Sequence, residues 1–209
     1  MIVLTDRSDC EAAARLRRHA AALTRYPVEP SRDGVCLVCR PDDAPLWVAP
    51  GRQFATRERV EVLALGKCPA LNDGVPLDDV VEAVLDIDGI AVLPWGVGKW
   101  LGGRGRLVRD AVARFGSRGL CVGDSALRPL GWPRTGVLRA GAAAILSGTD
   151  PLPLPGEEVR AGRYASFFEQ ALDSDRPWQT LREAMLAGGG RSIGRRLGPL
   201  AVAGRMRRL

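Results

Sequence analysis

Short apolar runs alternate along this chain with segments whose apolar residues recur at helical spacing. Alternating strands and helices predict a parallel α/β sheet. No G-x-G-x-x-G segment follows the first run, which disfavours a dinucleotide-binding sheet and leaves an α/β barrel or a barrel-like sheet. The predicted strands are residues 2–5, 35–39, 46–48, 60–65, 90–93, 120–122 and 145–146, and the main predicted helices are 9–24, 78–86, 107–115, 163–172 and 178–186.

The distribution of charge divides the chain into a neutral body and a basic end. Of 209 residues, 46% are hydrophobic, which is enough for one globular domain. The net charge is +6, and the six arginines after Glu183 equal it without a single acid. We therefore expect one domain over residues 1–187 and a basic C-terminal tail over 188–209. The tail has no aromatic residue on which a base could stack, which disfavours a nucleic-acid partner.

Two whole classes of protein are excluded by what the sequence lacks. No apolar run approaches the ~20 residues that span a bilayer, and the N-terminus has no signal-peptide pattern. We therefore expect a cytoplasmic protein with no membrane partner.

His19 is the single histidine, so the chain cannot build a multi-histidine metal cluster. Its function must come from carboxylates, arginines, backbone amides or the few other polar groups.

The loop after the predicted strand 90–93 is rich in glycine and in basic residues. Glycines let backbone N–H groups turn inward, and the start of the following helix adds partial positive charge. This combination is suited to a phosphate or carboxylate group. It is not a Walker A loop, because a tryptophan follows its lysine. The residues predicted to bind the anion here are Trp95, Lys99, Arg104 and Arg106.

Two further polar loops, residues 123–129 and 147–158, follow predicted strands. In a parallel sheet, all three loops open on the same face. Asp124 and Asp150 come directly after strands, where a carboxylate can ligate a divalent cation or accept hydrogen bonds from loop amides. We expect Asp124, Arg128 and Asp150 to belong to the same ligand-binding site as the glycine-rich loop.

Five short motifs follow one another along residues 1–155. They are LTDRS (4–8), PGRQ (50–53) with Thr56, VEVLALG (60–66), GIAVLPWG (89–96) and SGTD (147–150). In this order they resemble the PHP (polymerase and histidinol phosphatase) superfamily of metal-dependent phosphoesterases. The resemblance implies a distorted (β/α)7 TIM-like barrel whose first strand has no counterpart in this chain.

The resemblance also implies where a metal cluster would lie and how it is altered. Arg7 and Trp95 stand at histidine positions of the family's motifs, and Gln53 stands at a glutamate position. Only Asp150 keeps the chemical type of a ligand. We therefore expect no metal and no other cofactor, and no enzymatic activity outside the metal-dependent alternative given below.

Three functions stay open. The first is a degenerate PHP-like protein that binds a small anionic ligand at the C-terminal face of its sheet. The second is a divergent phosphoesterase in which Gln53, Glu61, Asp124 and Asp150 hold Mg²⁺ or Mn²⁺. The third is contact of the basic tail with an acidic partner or a nucleic acid. A missing first strand would also expose a sheet edge, through which we expect two copies of the chain to pair as a homodimer.

Overall fold

The computed structural model describes residues 1–7, 12–19, 28–33, 35, 37–39, 46–133, 136 and 141–208. Part of the predicted helix 9–24 and part of the predicted strand 35–39 lie outside these residues. The described strands are β1 (Ile2–Arg7), β2 (Val28–Pro30), β3 (Leu37–Cys39), β4 (Leu46–Ala55), β5 (Glu61–Leu65), β6 (Ile90–Pro94), β7 (Cys121–Ser125), β8 (Ile145–Gly148), β9 (Tyr164–Phe167) and β10 (Arg191–Gly194). The described helices are α1 (Ala12–Arg18), α2 (Leu77–Asp86), α3 (Gly103–Phe115), α4 (Pro177–Leu186) and α5 (Pro199–Met206).

Eight of the described strands form one mixed sheet. Its main path runs β2-β3-β4-β5-β6-β7-β8, and β1 pairs in parallel with β4 outside this path. The pairs β6–β7 and β7–β8 are parallel, whereas every pair from β2 to β6 is antiparallel. The predicted TIM-like barrel is therefore wrong, because that barrel closes from parallel strands alone. The observed sheet is a curled half-barrel.

The connection between β4 and β5 is one physical reason for the error. The Thr56 backbone N–H donates to the Val60 carbonyl oxygen (3.0 Å), and the Val60 N–H donates to Thr56 Oγ1 (3.2 Å). Arg59 takes a positive φ of 59° in this turn. A turn this short joins antiparallel strands, since parallel neighbours need a crossover of about a dozen residues or more. Between β5 and β6 the chain does contain a helix, α2, and yet these strands are antiparallel.

Apolar side chains cover both faces of the sheet. In β5, Val62 and Ala64 belong to the core cluster that α2 and α3 complete. Leu65 belongs to the cluster on the other face, together with Trp178 of α4. This division follows from the alternation of side chains along a strand. The helices bury residues at helical spacing, which are Leu77, Val80, Val81 and Val84 in α2 and Val108, Ala111, Val112 and Phe115 in α3.

The C-terminal part of the chain differs from the predicted pattern. The predicted helix 163–172 is wrong over its first residues, because Tyr164–Phe167 forms β9 and pairs antiparallel with β10. Residues 188–209, expected as a basic tail, contain β10 and α5. Val202 of α5 is only 4% exposed, so the helix packs on the rest of the protein. No described helix combines the length and the apolar character that crossing a bilayer requires.

Candidate functional site

The carboxyl ends of β6, β7 and β8 lie at one edge of the sheet, as expected for parallel neighbours. Pro94 is opposite Gly123, and Ser125 is opposite Gly148. The Trp95 N–H donates to the Gly123 carbonyl oxygen (2.9 Å), which extends this pairing beyond the end of β6. The three predicted loops therefore begin at the same edge. Because β5 is antiparallel to β6, its first residue also lies on this side.

A buried ion pair stands at the end of β7. Arg128 Nε donates to Asp124 Oδ1 (2.7 Å), and Arg128 Nη2 donates to Asp124 Oδ2 (2.6 Å). The Tyr164 hydroxyl donates to the same Oδ2 (2.9 Å). Asp124 is 1% exposed and Arg128 2% exposed. The hydrogen bonds to Asp124, opposed by burial and reinforced by the carboxylate charge, raise the pKa of Arg128 above its usual value.

The same arginine fixes the loop that follows β7. Its backbone N–H donates to the Ser125 carbonyl oxygen (2.9 Å), which closes a tight turn. Its Nη1 donates to the Trp132 carbonyl oxygen (2.6 Å), which holds the far end of the loop. Arg128 is thus oriented on both sides by fixed acceptors. A bidentate pair of this kind restricts the guanidinium to one plane.

Beside this ion pair lies a cavity of about 680 Å³. One wall comes from the loop after β7 and the other from the segment that ends β10. Two backbone hydrogen bonds join the walls: Leu197 N–H to the Ala126 oxygen (3.0 Å) and Leu130 N–H to the Leu197 oxygen (2.7 Å). The lining residues are Arg128, Leu130, Gly131, Trp132, Tyr164, Ser192, Gly194, Arg195 and Arg196.

Arg196 is the lining residue with an unsatisfied polar atom. Its Nη1 is buried and finds no hydrogen-bond partner in the part of the chain that the structure describes. A guanidinium has five N–H donors and no acceptor, and it stays protonated in proteins. A buried donor left without an acceptor costs roughly 1–3 kcal/mol. Because Arg196 lines the cavity, this unsatisfied donor lies close to the space that an acceptor would occupy.

A second polar cluster lies at the same edge, between the loops after β6 and β8. Lys99 Nζ donates to Glu61 Oε2 (2.5 Å), and Ser125 Oγ donates to Asp150 Oδ2 (3.1 Å). Asp150 has a positive φ of 49°, and the residue is exposed when its backbone and side chain are taken together. Burial of its carboxylate among these neighbours raises its pKa, against the lowering effect of the Lys99 charge. Since Asp124 and Ser125 are consecutive in a strand, their side chains point to opposite faces and serve different clusters.

The remaining residues of the predicted site lie away from the cavity. Trp95 is 5% exposed and belongs to the core cluster beneath α2 and α3. Arg104 Nη2 donates to the Gly98 carbonyl oxygen (3.3 Å), and Arg106 lies exposed in the first turns of α3. Of the seven predicted ligand-binding residues, the structure places Arg128 on the cavity wall. Asp124 contacts Arg128 but does not line the cavity itself. Anion binding by the other five stays a prediction.

Among the four residues predicted to hold Mg²⁺ or Mn²⁺, Asp124 and Glu61 are already paired with basic side chains. Both Asp124 oxygens accept hydrogen bonds from Arg128, and Glu61 pairs with Lys99. Gln53 lies in β4, opposite Leu63 of β5. The described ranges contain no group of three or more His, Cys, Asp or Glu residues placed to bind one metal ion. A metal-dependent site stays a prediction.

Several cavity residues are absent from the predicted site. The sequence pattern places Tyr164 in a helix, and it places Arg195 and Arg196 in the tail. Trp132 follows Leu130 and Gly131 in a stretch without helical or strand periodicity. The sequence does contain one signal for these residues. Arg195 and Arg196 are adjacent and have no acidic residue nearby in the sequence, so a ligand could neutralise them.

Comparison with known proteins identifies a fold and no family. No protein-family model matches the sequence, and no curated protein sequence matches it. One solved structure that is similar is PsfC from Pseudomonas syringae PB-5123, with a TM-score of 0.61 and 14% identity, over 99% of this chain and 82% of that one. At this identity the likeness concerns the fold alone. The resemblance to the PHP superfamily is wrong, because the similar solved structure is PsfC and the sheet is a mixed half-barrel and not a (β/α)7 barrel.

Proposed function

We propose that this protein binds a small anion, through a phosphate or carboxylate group, in the cavity between the loop after β7 and the end of β10. The observation that carries the proposal is the buried Nη1 of Arg196 on the cavity wall, which has no partner among the described residues. An anion that accepts a hydrogen bond from this nitrogen removes the cost of an unsatisfied donor and gains a charge-assisted contact.

The surroundings of Arg196 support the same ligand chemistry. Arg195 adjoins it on the wall, and none of the described residues that line the cavity is acidic. Arg128 also lines the cavity, and Asp124 and the Trp132 carbonyl already orient its side chain, so no further side-chain entropy is lost there when a ligand binds. The loop with Lys99 is a weaker candidate, since Glu61 already neutralises that ammonium group.

The test is calorimetric titration of the protein with inorganic phosphate and with succinate. We expect at least one of them to bind, and we expect Arg196→Met to weaken that binding about tenfold or more, because a charge-assisted hydrogen bond is lost. Without ligand, the variant is expected to melt no lower than the native protein, because the substitution removes an unsatisfied buried donor.

Arg191→Met is the matched control. Arg191 lies in β10 but outside the cavity, with its guanidinium 4.5 Å from the centre of the Phe167 ring. Its replacement removes the same charge from the same segment of the chain, so a general electrostatic effect would weaken binding in both variants. Absence of binding by both anions, or equal losses in the two variants, would contradict the proposal.

The other functions and partners stay predictions. The Mg²⁺ or Mn²⁺ phosphoesterase and the acidic partner of residues 188–209 each lack, among the described residues, a specific contact that favours them over anion binding. The homodimer through a sheet edge is to be tested by light scattering. The outer side of β8 lies beside β9, where the Ser147 N–H donates to Ser166 Oγ (2.7 Å), so β2 is the other end strand to consider. A cytoplasmic location also stays a prediction.

A further inference from the structure

The charge around the cavity is uneven. The +1 charge of Arg128 is balanced by Asp124, to which it is bound at 2.6 Å. Arg195 and Arg196 form no ion pair with any acid of the described chain. The described lining thus carries two uncompensated positive charges and no negative one. A ligand that matches this charge is a dianion.

Charge separates the two anion classes that the proposed function leaves open. A carboxylate carries one negative charge, whereas a phosphate monoester carries about −1.5 to −2 at pH 7 and offers three acceptor oxygens. The guanidinium groups of Arg195 and Arg196 offer several N–H donors to these oxygens. A phosphate monoester therefore accepts more hydrogen bonds from these donors than a carboxylate does, and it neutralises more of their positive charge.

The cavity also has an apolar side. Trp132 is 54% exposed and Leu130 is 62% exposed, and both line it. Large apolar side chains grouped beside polar ones are typical of a surface that a ligand covers. The indole ring provides a flat surface on which an aromatic ring can stack.

We infer that the ligand is a phosphate monoester that carries an aromatic or heteroaromatic ring, with its phosphate on Arg195 and Arg196 and its ring against Trp132. This inference rests on the proposed function and specifies the class of anion that the cavity selects. It predicts that the protein distinguishes ligands by their charge and by the presence of a ring. One set of titrations can measure the two effects separately.

The experiment titrates the native protein with phenyl phosphate, phenyl sulfate and inorganic phosphate at pH 8 and at pH 5. Phenyl sulfate has nearly the same shape but a single charge at both pH values. At pH 8 we expect phenyl phosphate to bind about tenfold more tightly than phenyl sulfate. At pH 5 this ratio should approach one, since the second pKa of the phosphate group is about 6. The charged and titratable groups facing the ligand are Arg128, Arg195, Arg196 and Tyr164, with Asp124 behind Arg128, and no histidine is among these described residues.

Trp132→Ala tests the ring. We expect it to weaken phenyl phosphate about fivefold and to leave inorganic phosphate unchanged, because only the stacking contact is lost. Leu101→Ala is the control, since Leu101 is 72% exposed and lies outside the cavity. Equal binding of phenyl phosphate and phenyl sulfate at pH 8, or equal binding of phenyl phosphate and inorganic phosphate, would overturn the inference while the proposed anion site stood. Failure of all three probes would overturn the inference, and failure of succinate as well would overturn the proposed anion site. The titrations of the native protein decide these outcomes even if a variant does not fold.

Discussion

The ion pair between Asp124 and Arg128 is almost completely withdrawn from water, with side-chain exposures of 0% and 3%. Withdrawal of two charges from water costs several kcal/mol for each ion, and close bidentate contact offsets that cost. Removing one partner therefore leaves the other buried without compensation. Tyr164 shares the arrangement, because its hydroxyl donates to the carboxylate that holds Arg128.

We expect Asp124→Asn to lower the free energy of unfolding by about 3–5 kcal/mol, because Arg128 keeps its charge in a buried position. Urea unfolding followed by circular dichroism measures the effect. Glu82→Gln is the matched control. It neutralises one carboxylate of a surface ion pair, whose Arg118 Nη1 lies 3.0 Å from Glu82 Oε1 with both side chains about half-exposed. The control is expected to lose less than about 1 kcal/mol. Similar losses in both variants would show that burial does not govern the contribution of Asp124.

Single residues of the site could be predicted in part. Asp124 is a candidate because it follows a strand directly, and Arg128 because it is a cation in the same loop. Their contact with each other could not be predicted, since it depends on the turn that brings residue 128 back over residue 124. Trp95 lies in a core cluster, where burial of its apolar ring is favourable, and ligand binding by it stays a prediction. Neither outcome is encoded in residue type alone.

Elements meet closely where β5 ends and α4 begins. Gly66 follows β5 with a φ of +77°, and its α-carbon faces the indole ring of Trp178 in α4. A β-carbon at this position would overlap the Trp178 ring. Trp178 is 3% exposed and cannot move aside without disturbing the core on that face of the sheet. Glycine is therefore required here by space as well as by conformation.

Gly66→Ala is expected to lower the free energy of unfolding by about 2–4 kcal/mol. About 1 kcal/mol or slightly more comes from the left-handed backbone, and about 1–3 kcal/mol comes from overpacking against Trp178. Gly98→Ala isolates the backbone contribution. Gly98 has nearly the same φ, +74°, and a β-carbon added there would meet no described atom within 4 Å. Equal losses in the two variants, measured by denaturant unfolding, would contradict a packing role for Gly66.

The sequence pattern predicts the existence of most elements but not the direction in which strands pair. Val62, Ala64 and their neighbours have the composition of a buried strand, and β5 is such a strand. Nothing in that run distinguishes a parallel from an antiparallel partner, and β5 has antiparallel partners on both sides. For β9, the aromatic run from Tyr164 happens to fit a helical spacing. Its pairing partner, β10, lies more than twenty residues away, beyond the reach of a local pattern.

In the folded protein, the arginines that are clustered near the C-terminal end of the sequence lie in different places. The six arginines that equal the net charge of +6 are clustered along residues 191–208, and a cluster in a tail predicts one basic patch. In the structure, Arg195 and Arg196 line the cavity, and Arg205 Nε lies 2.7 Å from Glu157 Oε1. Arg191 lies over the Phe167 ring. Folding of this segment, which local composition does not predict, thus separates the charges.

The consequence for nucleic acid is a weak dependence of binding on salt. A patch of six arginines that all contact phosphates would give a slope of about −5 for log affinity against log salt, at roughly 0.9 per contact. Arg207 and Arg208 form an adjacent exposed pair that follows the ion-paired Arg205, so we expect a slope of about −2 for a labelled DNA duplex. Fluorescence anisotropy between about 50 and 200 mM KCl measures this slope.

The double variant Arg207→Gln, Arg208→Gln is expected to abolish the remaining salt-dependent binding. These two side chains are exposed, so their replacement leaves the fold intact. Deletion of residues 188–209 is a poorer test, because it also removes β10, one wall of the cavity and the buried Val202 of α5. A slope near −5 in the native protein that falls only to about −3.6 in the double variant would mean that the arginines act together on DNA, at roughly 0.9 per contact. The cavity arginines would then be part of a nucleic-acid surface, and the small-anion site would have to be abandoned.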